Sequence, residues 1–328
     1  MSFNDNASLY STLAEIKGFV KRRGKPLPYA YYNFPLAFLL NGLLDFASKN
    51  KDRLLVELVD KKCNELLTSN GSLKFRFDKV DQAAFGYIFL KLYQLTGNQK
   101  YLTASHDIYS KIKALLPPDM LIRYRSSENV LFVDTIGLVC PFLFRYASIV
   151  KCDEAKRLAV IQIQYYLQEG IERNSCFPFH ALDLNNKMPL GPCNWSRGVG
   201  WLLIGLSEYM QTIDVSESDS TAKVMRSLYD RLVGMKINNS YWPQFLGNTN
   251  DTSIDSSATL MFVFAFSRAD IHEYSNEEIL DIARYCVDET GQIVNASGDT
   301  IYINKYSRVK SASELSQGLM LSIMSRSK

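Results

Sequence analysis

The spacing of apolar residues constrains this chain more than any other feature. Apolar residues recur with a period near 3.6 over almost the whole sequence, whereas sustained two-residue alternation is scarce. Short strands are expected near 121–125, 240–246 and 292–304, where Asn, Gly and Asp interrupt small apolar runs. The helical pattern predicts helices near residues 7–23, 34–50, 52–69, 79–95, 99–116, 132–150, 153–173, 196–213, 218–236, 255–268, 275–289 and 312–326.

Every second predicted helix is more apolar than its neighbours, as in residues 34–40 and 258–264. These helices begin near 34, 79, 132, 196, 255 and 312, at intervals of 45 to 64 residues. A helix that is apolar on most sides is buried, so this set should form an inner layer and the others an outer layer. Twelve helices in six hairpins of such a period suit a closed ring. The predicted fold is therefore an all-α (α/α)6 barrel, with residues 1–328 as a single domain.

Composition excludes several classes of protein. A net charge of +3 over 328 residues provides no clustered basic surface of the kind that nucleic-acid binders use. The six cysteines are scattered without a Cys-x-x-Cys pair, so we expect neither disulfides nor a metal site, and no cofactor. No apolar run reaches membrane-spanning length, and residues 1–6 do not resemble a signal peptide. A cytoplasmic protein that does not bind membranes is expected, of unknown oligomeric state.

Residues 194–201 combine two tryptophans, an arginine and two glycines at the start of an apolar helical pattern. The guanidinium of Arg197 suits a carboxylate, and Trp195 and Trp201 offer flat faces to a sugar ring. Glycine allows the backbone to approach a ligand or to turn sharply. The segment is either a binding lip or a tight turn whose tryptophans anchor the core.

In a ring of hairpins all inner helices run in the same direction, so their N-termini meet at one end. Converging helix N-termini favour an anionic ligand. Aspartate is also a preferred N-cap, so Asp81, Asp134 and Asp255 could each simply cap a helix. Three of them at equivalent positions, together with Trp195 and Arg197, favour a binding site. The other polar or aromatic residues at this end are Tyr31, Tyr32, Asn33, Ser313 and Glu314.

Four blocks follow one another along the chain: Val80-Asp81 before Phe85-Gly86 with the turn at 95–101, Phe132-Val133-Asp134-Thr135-Ile136-Gly137, Phe179-His180-Ala181-Leu182-Asp183, and Trp195-Ser196-Arg197-Gly198-Val199-Gly200-Trp201. In content, order and rough spacing they resemble motifs of the glycoside hydrolase families 88 and 105, the unsaturated glucuronyl and rhamnogalacturonyl hydrolases. The resemblance extends over most of the chain. It implies a six-hairpin (α/α)6 barrel, in agreement with the helix count.

The resemblance also implies an activity. The substrate would be an oligosaccharide that ends in a 4,5-unsaturated uronic acid, hydrolysed by protonation and hydration of the C4–C5 double bond. On the family pattern Asp134 is the general acid and base, and Asp81 holds a substrate hydroxyl or biases the protonation of Asp134. His180 and Arg197 would engage the uronate. The substrate would also contact Trp195, Trp201 and Tyr32.

Two departures from the family pattern leave other functions open. Val199 stands where the family usually has Asn, and residues 135–140 read Thr-Ile-Gly-Leu-Val-Cys where the family more often has Gly, Phe and Met. The alternative is a six-hairpin protein of surface-polysaccharide metabolism that binds carbohydrate or acts on it differently. A helical scaffold for a peptide, or a prenyltransferase-like barrel, is a third and weaker interpretation. The latter usually needs a metal site, and the sequence shows none.

Overall fold

Helices dominate the computed structural model, which describes residues 31–125, 128–216, 219–250 and 252–327. The helix predicted at 7–23 lies outside the described residues. The helices within them are α1 Phe34–Asn50, α2 Arg53–Glu65, α3 Ala83–Thr96, α4 Gln99–Ala114, α5 Asp134–Val150, α6 Asp153–Glu169, α7 Ser196–Thr212, α8 Ser220–Val233, α9 Ser256–Arg268, α10 Asn276–Cys286 and α11 Glu314–Met324.

Alternate helices form two layers. The inner helices α1, α3, α5, α7, α9 and α11 each pack against the next, and α11 packs back against α1. The outer helices α2, α4, α6 and α8 each pack against the inner helix that precedes them. Inner helices α7 and α9 are buried along almost their whole length, whereas the outer helices bury a single face. This closed ring confirms the predicted (α/α)6 barrel.

The connections place all the longer loops at one end of the ring. Inner helices α1, α3 and α5 are followed by turns of two residues, in which Lys51, Gly97 and Lys151 take the left-handed conformation. The connections from an outer helix to the next inner helix are much longer, as between Glu65 and Ala83. They therefore gather at the N-terminal end of the inner helices, where loops can form a site.

The ring closes through a glycine contact between its first and last inner helices. A Cβ added to Gly42 of α1 would lie 2.1 Å from the carbonyl oxygen of Gly318 in α11. A Cβ added to Gly318 would lie 2.1 Å from the carbonyl oxygen of Phe38. The two backbones are thus in direct contact, which only glycine allows.

The strands are short and lie in the long connections. β1 Val130–Phe132, β2 Ala181–Asp183 and β3 Met188–Leu190 form an antiparallel sheet, β4 Ala296–Ser297 pairs with β7 Lys310–Ser311, and β5 Thr300–Tyr302 pairs with β6 Lys305–Tyr306. The strand expected at 292–304 corresponds to β4 and β5. The strand expected at 121–125 is wrong, because the Ile122 N–H donates to the Gln162 side chain and not to a strand. At 240–246 only isolated bridges form.

All six cysteines are free thiols. None of the described helices is long and apolar enough to cross a membrane.

Candidate functional site

The sheet β1-β2-β3 brings Asp134 and His180 together. Phe132 of β1 pairs with Ala181 of β2, and the Val133 N–H donates to the His180 carbonyl at 3.0 Å. Asp134 begins α5 directly after this pair, so its side chain emerges beside the imidazole. His180 Nε2 lies 3.5 Å from Asp134 Oδ2. The His180 side chain is buried, whereas 18% of the Asp134 side chain reaches solvent.

The other nitrogen of His180 determines which ring atom faces Asp134. Nδ1 lies 2.8 Å from the Ile303 carbonyl oxygen and 2.8 Å from the Tyr306 hydroxyl. A carbonyl oxygen can only accept, so Nδ1 carries a proton. If the ring is neutral, Nε2 presents a lone pair to the Asp134 carboxyl. Asp134 Oδ2 is buried and makes no hydrogen bond, so the imidazole and the carboxyl approach each other closely without a hydrogen bond between them.

Aromatic rings enclose this pair. The imidazole of His180 lies 4.5 Å from the Trp195 ring and 5.5 Å from those of Phe132 and Tyr306, centroid to centroid. Burial, together with the charge of Asp134, raises the pKa of Tyr306 well above its usual value. The low-polarity wall strengthens electrostatic interactions at the Asp134 carboxyl.

Asp81 lies in the same region but in a different setting. It belongs to a short 3-10 helix, Val80–Gln82, just before α3, and its side chain is fully buried. The Tyr124 hydroxyl donates to Asp81 Oδ2 at 3.0 Å. Burial raises the pKa of Tyr124 strongly, and the negative charges of Asp81, Asp134 and Asp299 raise it further. Tyr124 therefore lies among three carboxylates.

The hydrogen bonds of Asp255 identify it as a helix cap, whereas those of Asp81 and Asp134 do not. Asp255 Oδ1 accepts from the backbone N–H groups of Ser257 and Ala258, and Oδ2 accepts from the Ser297 hydroxyl at 2.6 Å. Asp134 makes no capping bond to the backbone of its helix, and Asp81 is not the N-cap of α3. Helix capping therefore explains Asp255, whereas it explains neither Asp81 nor Asp134.

Asp255→Ala should destabilise the barrel without touching the Asp134 pair. The change leaves the buried N–H groups of Ser257 and Ala258 and the Ser297 hydroxyl without their acceptor. We expect the free energy of unfolding to fall by about 2 kcal/mol in urea denaturation. Asp281→Ala, at an exposed position of α10, serves as control and should cost less than about 0.5 kcal/mol. Equal losses in the two variants would contradict the capping role.

Arg197 is buried near the start of α7 and is already engaged. Its Nη1 donates to the carbonyl oxygens of Ser297 at 3.0 Å and Gly298 at 3.3 Å. Its Nη2 lies 3.5 Å from Asp299 Oδ1. The guanidinium also lies 5.8 Å from the centre of the Trp195 ring. The segment that contains β4 therefore fixes Arg197 beside the aromatic wall.

The two remaining predicted site residues, Tyr32 and Trp201, are buried in the core. Tyr32 is buried and stacks on Phe75 with ring centroids 4.2 Å apart, and burial, with the charge of Asp78, raises its pKa to about 12. Trp201 is fully buried inside the ring, edge-on to Phe34 and Phe38. Val199, which stands where the family usually has Asn, is likewise buried in the core.

Three residues of the site were missed by sequence reasoning. Tyr124 lies in a connection that had been assigned to a strand. Tyr306 and Asp299 come from the segment between α10 and α11, more than a hundred positions away from His180 and Arg197. No local motif marks these residues, because their place depends on how that segment folds back over the ring.

A cavity of about 430 Å³ lies on one side of Tyr124 and is lined by Tyr124 together with Arg76, Phe77, Asp78 and Asn129 among others, but not by Asp134 or His180. Among the described residues no group of three or more His, Cys, Asp or Glu side chains could hold a metal ion.

Comparisons with known proteins give a consistent result. The sequence model of glycosyl hydrolase family 88 matches residues 21–317. A family 105 glycoside hydrolase from C. acetobutylicum is 14% identical, with a TM-score of 0.73 over 98% of each chain. A possible family 105 member from Klebsiella pneumoniae is 14% identical, with a TM-score of 0.77 over 90% of this chain and 82% of that one. A family 88 protein from Bacteroides vulgatus is 12% identical, with a TM-score of 0.68 over 97% and 98%. At these identities the solved structures show a common fold.

Proposed function

We propose that this chain, which belongs to glycosyl hydrolase family 88 and is a glycoside hydrolase, acts on oligosaccharides that end in a 4,5-unsaturated uronic acid. The observation that carries the proposal is the pair formed by Asp134 and His180. Asp134 has no capping bond, is partly open to solvent, and lies 3.5 Å from an imidazole whose other nitrogen is protonated. One carboxyl group in this setting can both donate and accept a proton.

The proposed reaction needs only that one carboxyl group. Asp134 gives its proton to C4 while water adds to C5, and the proton that this water loses returns to Asp134. One water molecule is consumed and the carboxyl is regenerated. The product is a hemiketal that opens, and the glycosidic link is then lost. This differs from ordinary glycoside hydrolysis, in which two carboxyl groups flank the bond that breaks.

Asp81 supports this chemistry through charge. Two carboxylates close together disfavour the state in which both are ionised. Asp81 is buried and accepts a hydrogen bond from the Tyr124 hydroxyl. We assign the exchangeable proton to Asp134, because its side chain is partly open to solvent and can be reached by water and substrate. His180 holds that carboxyl in place.

The residues around the Asp134–His180 pair would recognise the sugar. Trp195 and Arg197 provide an aromatic face and a guanidinium at the start of α7. The cavity of about 430 Å³ beside Tyr124 offers room for further sugar units. Tyr32 and Trp201 are buried in the core instead, Tyr32 against Phe75 and Trp201 against Phe34 and Phe38.

The surroundings of Arg197 favour a second candidate function. Its guanidinium already contacts Asp299 and two backbone carbonyls, and Asp81 and Asp134 add two more carboxylates nearby. A uronate would have to displace Asp299 from the Arg197 guanidinium or share that guanidinium with it. A protein that binds a neutral glycan, or acts on it differently, fits this charge pattern. Glycan binding without turnover, unaffected by Asp134→Asn, would support that candidate.

A panel of substrates tests the proposal. Unsaturated disaccharides made by polysaccharide lyases are incubated with the protein, and the absorbance of the conjugated double bond is followed. We expect absorbance to fall for at least one uronic substrate. The saturated disaccharide of the same linkage serves as control and should release no sugar. Absence of turnover with every unsaturated substrate would refute the proposal.

Tyr306→Phe should slow the reaction moderately. The hydroxyl contacts His180 Nδ1 and donates to the Ile303 carbonyl, so its loss loosens the imidazole without removing the proton on Nδ1. We expect kcat to fall about tenfold with KM little changed, as for loss of one hydrogen bond to a reacting group. Tyr302→Phe, on the same hairpin but 69% exposed, is the matched control. Equal effects of the two changes would remove Tyr306 from the mechanism.

A further inference from the structure

A second cluster of charged residues lies at the opposite end of the ring, where the inner helices end. Asp45, Lys91 and Arg145 each lie five residues before the last residue of their helices, which are Asn50, Thr96 and Val150. Parallel helices with equal spacing place these side chains at one level. Glu208 of α7, Arg268 of α9 and Arg326 after α11 complete the set.

All of these side chains except Glu208 line a cavity of about 300 Å³. Asp45, Tyr87, Lys91, Arg145, Arg268 and Arg326 are among the residues that line it. Tightly packed interiors contain few spaces of this size, and a polar space of this kind holds water or a ligand.

Ion pairs account for only part of the charge in this cluster. Lys91 pairs with Asp45 and also donates to Asn41 Oδ1 at 2.8 Å, and Arg268 pairs with Glu208. Burial lowers the pKa of Lys91 to about 8 against the opposing pull of Asp45, and the positive charges of Arg145 and Arg268 add to the decrease. Both carboxylates of the cluster are thus already occupied by cations.

Arg145 and Arg326 have neutral partners only. Arg145 donates to the Tyr87 hydroxyl at 3.3 Å and to the Gln94 side chain, and its buried Nε has no hydrogen-bond partner. Arg326 donates to the Ser267 carbonyl. Within the described residues the six charged groups comprise four cations and two carboxylates, an excess of two positive charges.

Helix dipoles favour Arg268, the last residue of α9, and Arg326, just after α11, but they do not account for Arg145. The negative end of a helix attracts cations, but the effect falls off within the last turn. Arg145 and Lys91 lie five residues from the ends of their helices, which is more than one turn. The partly buried Arg145 guanidinium has an Nε–H without a hydrogen bond and no carboxylate partner among the described residues, so it can accommodate an anion.

We propose that this cavity binds a small, multiply charged oxyanion, held by the planar fork of Arg145 and by Arg326. A guanidinium suits phosphate and carboxylate groups alike, because both accept two parallel hydrogen bonds. The volume exceeds that of one oxyanion, so an acid of up to monosaccharide size fits. Arg145 lies eleven residues after Asp134 on α5, or about 16 Å along the helix, so the anion does not compete with substrate.

Thermal unfolding in inorganic phosphate tests this proposal. Sodium phosphate is compared with sodium chloride at equal ionic strength, in the parent protein and in Arg145→Gln, Arg326→Gln and Arg284→Gln. We expect phosphate to raise the Tm of the parent and of Arg284→Gln, a solvent-exposed control on α10, by at least about 3 °C. The rise should vanish in Arg145→Gln and fall by at least half in Arg326→Gln.

Two results would overturn the proposal. One is an equal Tm in phosphate and chloride for the parent protein, and the other is an undiminished rise in both cluster variants. If Arg145→Gln does not fold, the phosphate-dependent rise in Tm of Arg326→Gln, a change at an exposed position, tests the proposal alone. Glucose 6-phosphate tested beside phosphate shows whether a doubly charged acid of monosaccharide size also binds, with neutral glucose as control. Because neither readout involves turnover, this test is independent of the proposed hydrolase activity.

Discussion

Asp134→Asn should lower kcat by at least about 10³-fold while the Tm stays within about 2 °C of the parent protein. The amide has nearly the same shape as the carboxylic acid, but it cannot give a proton to carbon and take one back from water. Asp134 makes no capping bond, so the amide keeps every hydrogen bond of the helix and only the small dipole contribution of the charge is lost. Turnover of an unsaturated disaccharide, followed by absorbance, measures the loss.

The control for this change is Asp281→Asn, an equal substitution at an exposed position of α10. It should leave kcat within about twofold of the parent, because surface changes of this kind have small effects. If Asp134→Asn kept a tenth or more of the parent activity, Asp134 would not be the proton donor. A large fall in Tm would instead assign Asp134 a structural role.

Gly318→Ala should have the largest effect on stability. The new Cβ would lie 2.1 Å from the Phe38 carbonyl oxygen, where a carbon–oxygen contact needs about 3.3 Å. Only separation of α1 and α11 removes this overlap, and that contact closes the ring. We expect a net fall of about 3 kcal/mol in the free energy of unfolding. This net value already includes the gain of about 1 kcal/mol that alanine brings over glycine in helix propensity.

Gly234→Ala is the matched control for this prediction. Gly234 has an ordinary helical conformation, and the nearest atom to an added Cβ is 3.5 Å away. Its change in stability should stay below about 0.5 kcal/mol in either direction. Urea denaturation of both variants gives the comparison. Similar stabilities for the two would mean that α1 and α11 do not close the ring through backbone contact.

Long helices were predictable from the sequence because each spans several turns of regular apolar spacing. All the described inner helices begin within four residues of their predicted starts. The largest difference is at α3, because residues 80–82 form a separate 3-10 turn. Strands β1, β2 and β3 have only three residues each, too few for an alternating pattern to be seen.

The site was predictable where one short motif carries the residue. Asp134 and His180 come from separate motifs, and the pairing of β1 with β2 brings them together. Burial was harder to foresee. Trp195 and Trp201 have similar sequence surroundings, yet Trp195 packs on His180, while Trp201 points between the inner helices. Tyr306 depends on a contact across 126 positions, which local patterns cannot show.

Hydration of the double bond is the central claim, and labelled water tests it most directly. An unsaturated disaccharide is turned over in H₂¹⁸O, and the position of the label in the early product is read by mass spectrometry. We expect ¹⁸O at C5, with the double bond lost in step with release of the leaving sugar. Label at the anomeric carbon of a sugar that still contains the double bond would contradict this mechanism and assign ordinary glycoside hydrolysis.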